Sequence, residues 1–172
     1  MAIYKLILIM KKFMTIIVLA LAINFSSNAQ EVALPKGSSV VSVGLGFISS
    51  FSNIAVPPIY GQYEYMVAEF GGKWGVGVGA MGGYFAQKGI SSTFNCGGID
   101  ALGDIHFSPI PQLDLYSGLY VGFVSASSSN TRVNGTDWGP IIGARYFFSD
   151  TFGLDLQIGG LGTLNVGVAF RL

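Results

Sequence analysis

The reading turns on residues 165–172, "NVGVAFRL". Val166, Val168, Phe170 and Leu172 alternate with Asn165, Gly167, Ala169 and Arg171 up to the last residue. Side chains of an extended chain point to opposite faces with a period of two, so this stretch presents one apolar face and one small or polar face. It predicts a strand that runs to the end of the chain.

The same period recurs upstream. Strands are predicted at 39–48, 58–68, 73–85, 98–107, 113–124, 138–148 and 152–159, separated by turn-forming residues, with almost no helical periodicity. In the first, Val41, Val43, Leu45 and Phe47 oppose Ser42, Gly44 and Gly46. In the fifth, Leu113, Leu115, Leu119, Val121 and Phe123 oppose Asp114, Tyr116, Gly118, Tyr120 and Gly122. The sixth is the least regular, because Ile141 and Phe147 fall on its polar side and Pro140 sits within it.

Charge placement decides what surrounds these strands. Glu64, Lys73, Asp100, Asp104, Asp114, Arg145, Asp155 and Arg171 all lie opposite the greasier face of their segment, and that face carries no charge in any segment. A soluble barrel that carries an apolar ligand would be patterned the other way round. An apolar exterior around a polar interior suits lipid. In hydrocarbon each unpaired backbone N–H or C=O costs several kcal/mol, which rules out an open sheet edge and selects closure. The expectation is all-β: an eight-stranded antiparallel up-and-down transmembrane β-barrel. Its last strand should pair with its first, which accounts for the alternating ending.

Composition agrees. Of 172 residues, 51% are hydrophobic and only 10% charged, with 25 glycines and a mean hydropathy of +0.56, whereas about a quarter of a soluble domain is charged. No uncharged apolar run reaches the roughly 18 residues of a spanning helix. The N-terminus reads as a secretory signal, residues 1–29: Lys11–Lys12, an apolar stretch from Phe13 to Phe25, and "SNA" ending at Ala29. An uncleaved anchor is the alternative, and Met10 before the two lysines offers an alternative start. Residues 30–172 then form the barrel domain. Removing Lys5, Lys11 and Lys12 leaves an acidic excess, which is no footprint for nucleic acid. Cys96 is the only cysteine, so no intrachain disulfide is expected.

"PPIYGQYEY" (57–65), "DIHFSPIPQLDLYSGLYVGF" (104–123), "GARYFFSDTFGLDLQIGG" (143–160) and "LNVGVAFRL" (164–172) resemble the small outer-membrane β-barrel domain family, similar in architecture to the OmpA and OmpX barrels. The resemblance implies a bacterial outer-membrane protein in contact with outer-membrane lipid, its C-terminal strand read by the barrel-assembly machinery during insertion. That strand typically ends on an aromatic residue. Here Leu172 is last and Phe170 is the aromatic.

The connections at 69–72, 108–112 and 149–151 are expected to be short and periplasmic. Those at 49–57, 86–97 and 125–137, rich in Ser, Gly and Asn, are expected to be extracellular loops. Trp74, Phe107, Trp138, Tyr146 and Phe148 would form interfacial girdles.

Candidate chemical motifs are few. "GVGAMG" (77–82) matches a dinucleotide-binding pattern, with Asp100 downstream, but lies inside an alternating strand with no helix after it. Its glycines read as small inward residues that make room for Tyr60, Tyr116 and Tyr120. His106 and Asp104 share a face near a short turn and read as interior polar groups rather than a catalytic pair. One His and one Cys are too few for a zinc site. "NGT" (134–136) reads as a turn and Cys96 as a loop thiol. The inward charges Glu64, Asp100, Asp104, Asp114, Asp155, Arg145 and Arg171 would line a channel or form a plug of ion pairs, and an eight-stranded interior favours the plug. No catalytic, cofactor-binding or metal residue is therefore assigned, and no cofactor. The functional expectation is a monomeric, non-enzymatic scaffold with a structural or surface-interaction role, meeting an extracellular ligand through its loops. A narrow channel and a lipid-modifying enzyme are the alternatives.

Overall fold

The computed structural model describes residues 32–47, 53–89, 92–129, 131–160 and 162–172. The predicted signal segment, residues 1–29, lies outside them. The described strands are β1 (Ser39–Phe47), β2 (Ile54–Phe70), β3 (Trp74–Lys88), β4 (Thr93–Ile110), β5 (Leu113–Ser128), β6 (Thr131–Phe147), β7 (Phe152–Gly159) and β8 (Gly162–Arg171). Each pairs antiparallel with its neighbours in sequence, and β8 pairs with β1 from Val40↔Arg171 to Phe47↔Leu164, closing the barrel. The C-terminal stretch is thus an interior strand of a closed sheet, as its alternation predicts.

The two faces are inverted relative to a soluble protein. Val43, Leu45, Ile59, Val78, Ile99, Ile105, Leu119, Val121, Ile142, Leu154, Leu156, Ile158 and Val166 are exposed on the outside. Glu64, Asp100, Asp104, His106, Asp114, Arg145 and Asp155 are each 3% exposed or less, inside. Water would reverse that distribution, and hydrocarbon requires it. Aromatic rings mark one end of this band: Trp74 packs on Phe107 at 4.7 Å, and Tyr146, Phe148, Phe152 and Phe170 follow in a chain of contacts at 5.3–6.3 Å. Trp138 and Phe123, 74% and 70% exposed, mark the other. From Trp138 to Tyr146 an extended chain covers about 26 Å, or about 20 Å along the axis of a barrel with strands tilted 40°.

The short connections sit where expected. Gly71 and Gly72 both take φ near +60° in the β2–β3 turn, the left-handed pair that a tight hairpin demands. Lys73 belongs to that turn rather than to a strand.

The opposite end departs from expectation. The expected loops 86–97 and 125–137 are largely strand in their described residues, as is the described end of 49–57, whose residues 49–52 lie outside the description. β2 begins at Ile54, β3 runs to Lys88, β4 begins at Thr93, β5 runs to Ser128 and β6 begins at Thr131. The strands β2–β6 therefore outrun β7, β8 and β1. The β1–β2 register stops at Leu45↔Ile59 and the β6–β7 register at Ile142↔Ile158, so among the described residues the outer parts of β2 and β6 are each paired on one side only. Pro140, paired with Leu119 alone, stands where β6 loses its β7 neighbour, a place that tolerates a missing N–H. The "NGT" at 134–136 is strand, paired with Phe123–Ser125. Cys96 is also in a strand, buried opposite Phe85, with its thiol pKa raised by burial and by Asp137.

Candidate functional site

Alternation forces every second residue of β2, β4, β5, β6 and β7 into a lumen just wide enough for side chains. These five strands, all but β3 of the run from β2 to β7, bring ionisable side chains together in one layer. Arg145 of β6 is the hub. Its Nη2 pairs with Glu64 Oε2 of β2 at 2.5 Å, its Nη1 with Asp114 Oδ2 of β5 at 3.3 Å, and its Nε lies 3.6 Å from Asp155 Oδ1 of β7. The guanidinium also lies 4.1 Å from the centroid of the Tyr116 ring. The Tyr116 hydroxyl donates to Asp155 at 2.8 Å, with Gln157 Oε1 at 3.0 Å, and Tyr60 donates to the other Asp155 oxygen at 3.4 Å.

His106 of β4 completes the layer. Its Nδ1 lies 3.0 and 3.1 Å from the two Asp114 oxygens, and its Nε2 is 3.8 Å from Glu64 Oε1. Asp104, two residues further along β4, makes no ion pair with Arg145. Neither of its oxygens has a hydrogen-bond partner among the described residues. The donor atoms of Glu64, Asp104 and His106 lie within 4.8 Å of one another.

Apolar residues cover this layer on both sides. Met66 and Phe147, each two residues nearer the short turns than Glu64 and Arg145, cluster with Val40, Ala169 and Leu34. Toward the other end, Leu102 and Ile141 cluster with Met81, Tyr116 and Tyr120. The irregularity of the sixth segment is thereby explained: Ile141 and Phe147 point inward because each belongs to an apolar layer beside Arg145.

Leu34 comes from a segment that sequence reasoning passed over. Val32, Ala33 and Leu34 are 7%, 0% and 2% exposed, and the Ala33 N–H donates to Ser108 Oγ at 2.9 Å. The signal was a short apolar run before Pro35 and Gly37, with Gly37 in the left-handed region. Its burial puts it across the mouth on the short-turn side.

Of the inward charges expected, Glu64, Asp104, Asp114, Arg145 and Asp155 converge. Asp100 is buried four residues further out on β4, and Arg171 stands at the mouth, 4.2 Å from the Phe147 ring centroid. "GVGAMG" lies wholly within β3. Its glycines do not make room for the tyrosines; Gly44 and Gly167 clear Tyr60, Gly143 clears Tyr116, and Gly139 clears Tyr120. Gly77 instead clears His106, since a Cβ there would lie 2.8 Å from Nε2.

No family model matches the chain, and no curated protein does. Solved structures do match, and they define a class: this chain has the fold of the small eight-stranded outer-membrane β-barrels. It is similar to the outer membrane protein OprG from Pseudomonas aeruginosa, with a TM-score of 0.54 and 12% identity over 85% of this chain and 99% of that one. Ail of Yersinia pestis, solved with the heparin analogue sucrose octasulfate, scores 0.49 at 16% identity over 80% of this chain and 100% of that one. The N-terminal barrel domain of Pseudomonas aeruginosa OprF scores 0.44 at 16% identity, covering 80% and 98%. At such identities it is the fold alone that is shared.

Proposed function

We propose that this chain is an integral protein of a bacterial outer membrane, exported by a signal peptide cleaved after Ala29 and inserted by the barrel-assembly machinery. Its role is structural or surface-directed. The barrel is a lipid anchor, and the outer parts of β2–β6 are the surface it presents for an extracellular ligand. The chain acts as a monomer and carries no catalytic group.

One observation carries the reading: exposed apolar side chains ring a lumen that holds the ionisable ones. The direction of insertion follows from the even strand count, which puts both termini on the side of the tight turns, the periplasmic side of such barrels. A narrow channel is the competing reading. The apolar layers of Met66–Phe147 and Leu102–Ile141 on either side of Arg145 favour a filled core over it.

The test is site-directed spin labelling in lipid vesicles. Labels at Val43, Val78 and Leu156, each 44–48% exposed on the outer face, are expected to meet lipid, with high accessibility to oxygen and low accessibility to polar relaxants. A label at Asn134 should show the reverse. Water contact at all three apolar positions would overturn the membrane assignment.

A further inference from the structure

The layer around Arg145 does not balance its charge. Glu64, Asp104, Asp114 and Asp155 are four carboxylates, all 2% exposed or less, against one guanidinium. Arg145 reaches Glu64, Asp114 and Asp155 but not Asp104. A buried carboxylate without a counter-charge costs several kcal/mol, so something electropositive belongs beside Asp104. Either a proton or a cation would serve.

His106 tells the two apart. With Nδ1–H donating to Asp114, the neutral ring turns the Nε2 lone pair toward Glu64 Oε1. Nε2 is 2% exposed at the residue level and has no hydrogen-bond partner among the described residues. At 3.8 Å, the Nε2–Oε1 separation is too long for a hydrogen bond. It is close to the edge of a tetrahedron built on metal–ligand bonds of about 2.1 Å, which is about 3.4 Å. A carboxylate on the far nitrogen of a histidine whose near nitrogen faces other carboxylates is the usual way a metal-binding imidazole is held.

The backbone keeps the space open. Gly77 and Gly118 flank Asp104 across β3 and β5. A Cβ at Gly77 would crowd Nε2, and one at Gly118 would strike Asp104 Oδ1.

We propose that Glu64, Asp104 and His106 form a binding site for a first-row divalent cation, with Asp114 orienting the histidine. One imidazole and two carboxylates form a mixed nitrogen and oxygen set. Such a set prefers Zn²⁺ to Mn²⁺, and both to Mg²⁺, which keeps its waters. A dication cuts the layer's negative excess from three charges to one and ties β2 to β4 across the lumen. Sequence counting missed the site because it looked for several His or Cys ligands, whereas this set is mostly carboxylate. The apolar layers on both sides make loading an event of folding and exchange afterwards slow.

The experiment refolds the full barrel domain into detergent micelles from denaturant, in metal-free buffer or with Zn²⁺, Mn²⁺ or Mg²⁺ alone. Folding is scored by heat-dependent gel mobility and retained metal by mass spectrometry after dialysis. Expected for the native sequence is about one equivalent of Zn²⁺ per chain, the stoichiometry of a single site. Asp104→Asn and His106→Gln should lose it, Asp114→Asn should weaken it roughly 10–100-fold, and Asp100→Asn should leave it intact. Stability supplies an independent sign. Asp104→Asn should stabilise the metal-free barrel by removing an uncompensated charge, yet be the less stable form when Zn²⁺ is present. A folded native barrel that retains no more Zn²⁺ than Asp104→Asn would overturn the site. So would a protonated-carboxyl infrared band that persists in excess Zn²⁺ and vanishes in Asp104→Asn, since a proton on Asp104 would then be the answer.

Discussion

The closed part of the barrel and the sheet that stands above it are made of the same strands but obey different rules. Below Trp138, β6 alternates, with Gly139, Ile141, Tyr-adjacent Arg145 and Phe147 facing in and Trp138, Ile142 and Tyr146 facing out. Above it, every residue from Thr131 to Thr136 is exposed. A side chain in the closed part has lipid on one hand and a crowded lumen on the other. The upper part of β6 lies beyond the proposed lipid boundary at Trp138 and pairs only with β5 among the described residues. The first region holds its shape by sorting side chains between two solvents. The second holds by backbone pairing with β5, which continues to Ser128↔Thr131.

That contrast predicts where substitution is costly. Arg145→Met takes the central cation from a layer of four buried carboxylates. Removing one partner of a buried ion network leaves the rest uncompensated and costs about 3–5 kcal/mol. The variant is expected to lose its compact, heat-sensitive gel band and to unfold at much lower urea in micelles. Unchanged urea resistance would mean that the layer is held by protons and tyrosine hydrogen bonds rather than by Arg145.

A charge placed in lipid comes next. Leu156→Arg puts a guanidinium on the outer face of β7, opposite Ala144 and Val166, where a midplane cation costs about 2–4 kcal/mol. Asn134→Arg, in the upper part of β6, should stay within about 0.5 kcal/mol of the native barrel, as surface changes usually do. Matched urea titrations in vesicles measure both. Equal effects would erase the boundary drawn at Trp138 and Phe123.

The same boundary explains what could be read from sequence. All eight predicted strand cores fell on strands because lipid imposes alternation on any segment that crosses it; 152–159 even matched β7 at both ends. The stretches 86–97 and 125–137 read as loops because nothing outside the membrane enforces a two-residue period, so "TFNCGG" and "SASSSNTRVNGT" carry no apolar face to recognise. Their pairing follows from neighbouring strands, which no local pattern records. Within the lumen, the inward phase of Glu64, Asp104, His106, Asp114, Arg145 and Asp155 was legible strand by strand. Their convergence was not, because relative depth depends on the stagger between strands. The role of Val32–Leu34 was hidden too, since three apolar residues are too few to show a period.

The smallest effect belongs at the tip. The β5–β6 connection closes on Ser128↔Thr131, with Ser129 exposed. A Gly/Ser-flanked epitope inserted after Ser129 removes no buried contact and lengthens a loop, and each doubling of loop length costs only about 0.6 kcal/mol. Barrel stability should therefore fall by no more than about 1 kcal/mol, and intact cells should bind an antibody to the epitope. The same insertion between Gly71 and Gly72 replaces the left-handed turn that joins β2 to β3 at Phe70↔Trp74, beside the aromatic band, and should cost more. Should the two insertions prove equally harmless and the epitope at Gly71 be the one displayed on cells, the barrel would be inserted the other way up. The sheet of β2–β6 would then face the periplasm, and a partner would have to be sought there.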